Sequence, residues 1–165
     1  DIGIYPNATG AKEIVDFMRS GNEGYESIEA VAQAVSEYLP HRKKPSDNKG
    51  LEKNLRLNKD GRYYWHWDPL FLDTRSDEVT DIYKLKRRQF AENVSAPTLL
   101  VRGAMSNVLT DGEVSDFLST VKHAEYAKII DAAHMVAGDR NDIFASHVID
   151  FMKKIEALTD LKTNS

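Results

Sequence analysis

Cysteine is absent from all 165 residues. That excludes a disulfide framework, a thiolate nucleophile and a zinc–thiolate site. The absence fits a reducing compartment and, with no signal-peptide pattern at the start, makes the cytoplasm the expected location. No apolar run approaches the ~20 residues needed to cross a bilayer, so no membrane partner is expected. An excess of positive charge is also missing: 22 Lys and Arg stand against 26 Asp and Glu, for a net charge of −4. That balance argues against a nucleic-acid partner. The runs His41-Arg-Lys-Lys44 and Lys84-Leu-Lys-Arg-Arg88 are short and read as solvated surface. The histidines at 41, 66, 123, 134 and 147 show no His-Glu-x-x-His spacing, so no metal site is supported. No Gly-x-Gly-x-x-Gly or phosphate loop occurs, and no cofactor is implied.

What remains is an ordinary globular composition, 41% hydrophobic and 29% charged, long enough for one domain with a core. Two textures divide it. Residues 8–94 read as helical with an aromatic insert; residues 1–7 and 95–165 read as α/β. Asp1-Ile-Gly-Ile-Tyr5 reads as the tail of a strand ended by Pro6. The chain enters this strand without a Met, as an excised piece would, so residues upstream of Asp1 are expected. Apolar residues at Ala11, Ile14, Val15 and Met18 predict a helix over 8–19. Ser27 is placed to cap a second helix carrying the stripe Ile28, Val31, Ala32, Val35 and Leu39, ended by Pro40. A short helix is expected at Leu51–Leu55, a turn at Lys59-Asp60-Gly61, and extended or irregular structure through Tyr63-Tyr-Trp-His-Trp67. A longer helix is expected from Ser76 to about Asn93.

From Pro97 the pattern is strand, helix, strand, helix. Thr98-Leu-Leu-Val101 is a continuous apolar run of the kind buried on both faces. Thr110-Asp-Gly-Glu113 is a capping box that opens a helix. Tyr126-Ala-Lys-Ile-Ile130 is the next strand, and a final helix buries Ile143, Phe144, Val148, Phe151, Met152 and Ile155. That order implies parallel strands.

The strand–loop pairs Pro97 to Thr110 and Ala127 to Asp139 resemble the last two strands of an α/β-hydrolase, with the catalytic-acid loop after the first and the catalytic-histidine loop after the second. The segments Tyr38-Leu-Pro-His-Arg42, Lys53-Asn-Leu-Arg56 and Gly61 to Leu72 look like the cap of one group of cap-bearing members. The resemblance implies a partial fold: about three parallel strands with flanking helices, formed by residues 1–7 and 95–165, and a mainly helical cap formed by 8–94. In the family the upstream half carries the nucleophile elbow and the oxyanion-hole loop. No Gly-x-Ser-x-Gly occurs here, so the chain is expected to be inactive alone.

Carried onto this sequence, the resemblance makes His134 the general base, as against a histidine merely packed beneath a loop. It puts Asn107 where the family has its aspartate. An asparagine carries no charge to stabilise an imidazolium, so the alternatives are lost activity, an introduced substitution, or an acid supplied elsewhere. Asp111 is the nearby carboxylate to weigh for that role against a place in the first turn of the capping-box helix, and Asp139 suits a helix start. Trp65 and Trp67 are candidates to line a substrate pocket under the cap, against simple packing. The implied function is the C-terminal portion of a serine-type hydrolase of esters or similar small acyl compounds. The alternative is a non-catalytic small-molecule-binding or protein-interaction module on a degenerate fold. The expected partners are a small-molecule substrate or ligand, and either the upstream half of the fold or a second chain covering the edge strand at residues 1–5.

Overall fold

Two parallel strands, β3 (Leu99–Gly103) and β4 (Glu125–Ile129), form the α/β part of the chain. A computed structural model describes residues 1–45, 47–73 and 81–163. In order, its other elements are α1 (Ala8–Ser20), α2 (Ile28–Tyr38), α3 (Lys49–Glu52), β1 (Leu55–Leu57), β2 (Tyr63–Trp65), α4 (Leu70–Asp73), α5 (Asp81–Glu92), α6 (Asp111–Thr120), α7 (Val136–Asp139) and α8 (Asn141–Thr163). The chain divides into two compact units, Asp1–Ala11 with Val79–Ser165, and Lys12–Glu78. The compact division groups α5 with the α/β unit, whereas the sequence pattern groups it with the helical segment before it.

In the α/β unit, β3 pairs with β4 from Leu99 opposite Glu125 to Gly103 opposite Ile129, with α6 as the crossover. Two small cores flank the pair. Leu100, Leu109 and Val114 pack with Phe117 and Leu118. Ile129, Ala132 and Val136 pack with Val101, Ile143 and Phe144. The sequence pattern predicts a third strand at residues 1–5. That segment forms no strand here: its backbone is irregular and bends at Ile4 and Tyr5. Asn7 then ties it down, its amide donating to the Val108 carbonyl at 2.8 Å. The capping box forms as the sequence predicts, with Thr110 and Glu113 satisfying each other's backbone amides.

In the second unit α1 and α2 follow the expected stripes, and the Ser27 hydroxyl accepts from the Ala30 amide at 3.2 Å. The middle differs. The short helix comes earlier than expected, and residues 55–65 form an antiparallel hairpin pairing Leu55 with Trp65 and Leu57 with Tyr63. Gly61 takes φ +78 in its turn, a conformation that suits glycine. Phe17 stacks on Tyr38 with ring centres 4.1 Å apart. The predicted helix from Ser76 is observed from Asp81, because 74–80 lie outside the described residues. Among the described residues no helix is long and apolar enough to cross a membrane.

Candidate active site

The carboxyl ends of parallel strands are where open α/β sheets gather their functional groups. Here β3 ends at Gly103, which has no room for a side chain: an added Cβ would lie 2.2 Å from the Ala133 carbonyl oxygen. This close approach lets the two strand-end loops lace together. The Ala104 amide donates to the Ile129 carbonyl at 2.8 Å and the Met105 amide to the Ala132 carbonyl at 2.9 Å. The β4 loop turns at Asp131, whose φ of 59 is the left-handed conformation that Asp tolerates better than most residues. The Asp139 carboxylate, at the end of α7, then reaches back to accept the Ala133 amide at 2.8 Å. His134 is therefore presented from a loop braced on both sides.

The group that meets the imidazole is Asp1. His134 Nδ1 lies 2.9 Å from Asp1 Oδ1. A carboxylate only accepts, so Nδ1 carries the proton and Nε2 is left with its lone pair. The Asp1 side chain is fully buried, while about a third of the His134 side chain is exposed. The same carboxylate accepts the Gly103 amide at 2.9 Å on Oδ2 and the Ser106 hydroxyl at 2.9 Å on Oδ1. The Asp1 ammonium donates to the His134 carbonyl at 3.0 Å. Burial holds the imidazole below its ordinary pKa, and the ammonium of Asp1 adds to this. The ring is neutral at pH 7, the form a proton acceptor needs. Burial likewise lowers the Asp1 ammonium.

Beside this pair lies a groove of about 640 Å³. Asp1, His134, Leu99, Val101, Phe144 and Phe151 are among its walls, so it is mostly apolar with one polar end. Concave, apolar ground with a few convergent polar groups is the usual setting of a small-molecule site.

Asn107 and Asp111 have other surroundings. Asn107 is exposed on the β3 loop; its carbonyl faces Gly10, where an added Cβ would sit 2.3 Å away. Asp111 is spent on the buried Arg102 guanidinium, with Lys128 3.9 Å away, so it does not serve the histidine. Trp65 packs in the second unit against Phe17 and edge-on to Tyr25, ring centres 6.2 and 6.3 Å away, and its indole N–H is buried with no hydrogen-bond partner among the described residues. Trp67 is half-buried just beyond β2. Asp1 is the residue sequence reasoning missed. The available signal was an acidic residue opening the segment expected to be a strand. Among the described residues no cluster of His, Cys, Asp and Glu is arranged to hold a metal ion.

The fold is part of the α/β-hydrolase fold. Solved structures align over most of the chain. The hydrolase of E-2-(acetamidomethylene)succinate superimposes with a TM-score of 0.73 at 15% identity, over 90% of this chain and 54% of its own. An esterase of Mycobacterium tuberculosis gives 0.67 at 21% identity, over 88% and 48%. An α/β-hydrolase of Novosphingobium aromaticivorans gives 0.58 at 17% identity, over 81% and 48%. The chain thus spans about half the length of the solved proteins it resembles. No protein-family model matches the sequence, and no curated protein does.

Proposed function

We propose that this chain is the C-terminal portion of a serine-type α/β-hydrolase acting on esters or similar small acyl substrates, with His134 as its general base. One observation carries the reading: beyond the end of β4 the His134 imidazole, with Nδ1 2.9 Å from Asp1 Oδ1, stands beside an apolar groove. In the reaction a serine hydroxyl from the upstream half of the fold gives its proton to Nε2 as its oxygen attacks the substrate carbonyl. The imidazolium then returns that proton to the leaving group. The nucleophile and the donors that stabilise the oxyanion come from that upstream half, either on a longer form of this chain or on a second polypeptide. Residues 8–94 act as the cap, with Trp65 and Trp67 on its substrate side, and Asn107 occupies the position of the family acid. The working compartment is the cytoplasm.

The test is hydrolysis of p-nitrophenyl butyrate by an assembly that includes the upstream half. His134→Ala is expected to lower kcat by about 10³-fold or more, since removing a triad member leaves little beyond binding and oxyanion stabilisation. Full hydrolysis by the His134→Ala protein would remove the proposal. The isolated chain is expected to show no His134-dependent cleavage. The rival reading, a binding module without chemistry, draws on the uncharged side chain at Asn107. It predicts ligand uptake in the groove with no esterase activity even in the complete assembly.

A further inference from the structure

We infer that Asp1, not Asn107, is the carboxylate that orients and charge-balances His134 in the reaction. The inference rests on the hydrolase reading above and names the positioning residue of that same site.

Three observations converge. The Asp1 side chain is fully buried, and its Oδ1 lies 2.9 Å from His134 Nδ1. A buried carboxylate is costly unless its lone pairs are used, and here three donors use them: the Gly103 amide, the Ser106 hydroxyl and Nδ1–H. Two of those donors come from the end of β3 and from the loop that holds Asn107. Where the family resemblance expects that loop to supply the acid itself, in this chain it supplies the hydrogen bonds that hold an acid from another segment. Meanwhile Asn107 is exposed.

The position also fixes direction. The Asp1 backbone nitrogen donates to the His134 carbonyl at 3.0 Å, so the residue is held to the histidine by main chain as well as side chain. An ammonium or a peptide N–H serves equally as that donor. With Nδ1–H given to Oδ1, the Nε2 lone pair is the one free to accept a proton. When the nucleophile's O–H bond breaks and N–H forms at Nε2, the positive charge on the ring is met by the Asp1 carboxylate, which stays ionised. The later transfer from Nε2 to the leaving group restores the starting state.

The experiment has two arms. In the 165-residue chain, nitrogen NMR of the His134 ring at neutral pH reports the tautomer. The expected result is a protonated Nδ1 and a bare Nε2; Asp1→Asn disturbs that state, Asp1→Glu restores it in part, and Asn107→Ala leaves it unchanged. A protonated Nε2 in the unaltered chain overturns the assignment without needing any variant to fold. So does a ring that responds to Asn107→Ala and ignores Asp1→Asn. In the assembly that hydrolyses esters, Asp1→Asn is expected to lower kcat by about 10⁴-fold at nearly constant KM, the cost of removing the triad carboxylate in a serine protease. If His134→Ala abolishes hydrolysis and Asp1→Asn does not, the Asp1 assignment falls and the hydrolase reading stands. If His134→Ala leaves hydrolysis intact, both fall.

Discussion

Gly103 decides more than its size suggests. Its missing side chain lets the end of β3 press against Ala132 and Ala133, and the resulting backbone bonds set where His134 stands. Gly103→Ala would push a methyl group into main-chain oxygen that cannot move aside alone. We expect a loss of about 3 kcal/mol, the upper range for overpacking, seen as a lower urea midpoint at unchanged slope. The histidine makes a second prediction. Its pKa is depressed on folding, so the unfolded chain binds more protons as pH falls through the ordinary value near ~6.5. Stability is therefore fully present above that pH, and this contribution is lost as pH drops through the folded value. His134→Gln should flatten the dependence in pH-resolved denaturation. Acetylating the α-amine of Asp1 keeps an N–H donor but removes its charge, so the His134 titration should move up; an NMR titration checks this. At this scale the sequence singled out the histidine but not the carboxylate beside it. The histidine loop carries a local pattern, whereas the Asp1–His134 contact joins residues 133 positions apart and leaves no mark in local spacing.

Helices were legible where caps and stripes agreed, and strands where they were longest. The stretch Thr110 to Glu113 announced α6, and its structure closes the box. Thr110→Ala is expected to cost about 1 kcal/mol, the usual value of an N-cap, and Ser27→Ala a similar amount in α2; thermal unfolding of each variant measures it. The depressed pKa of Glu113, due first to the Thr110 hydroxyl, adds that the box weakens as pH falls through the carboxylate range. The hairpin at 55–65 was not legible. Its strands have three residues each, too few to show alternation. Leu51 and Leu55, four apart, imitate a helical stripe instead. What decides the matter is the turn, where the Asn58 amide donates to the Arg62 carbonyl at 3.0 Å, and a hairpin pairing that no helix offers. The strand expected at residues 1–5 depends on a neighbour to pair with, and in this chain the segment is used to deliver Asp1.

Taken whole, the molecule leaves much apolar surface in water. Leu85 and Phe90 on α5, Ile130 after β4, and Ile149 and Met152 on α8 are all exposed. Where such side chains adjoin one another they favour association. Light scattering of the isolated chain is expected to show a mass that rises with concentration, and addition of the upstream half should suppress the rise. A constant monomer mass would count against a partner on that surface. The fold class was legible because order and texture, not any single motif, define it. The site's closure was not, and it has a kinetic consequence. A hydrogen bond between residues 133 positions apart gains little until the parallel strands that present both groups have paired. Closing so long a loop is entropically slow relative to local structure. The imidazole and its carboxylate should therefore meet late in folding, so that the site also serves as a check that the α/β unit is complete.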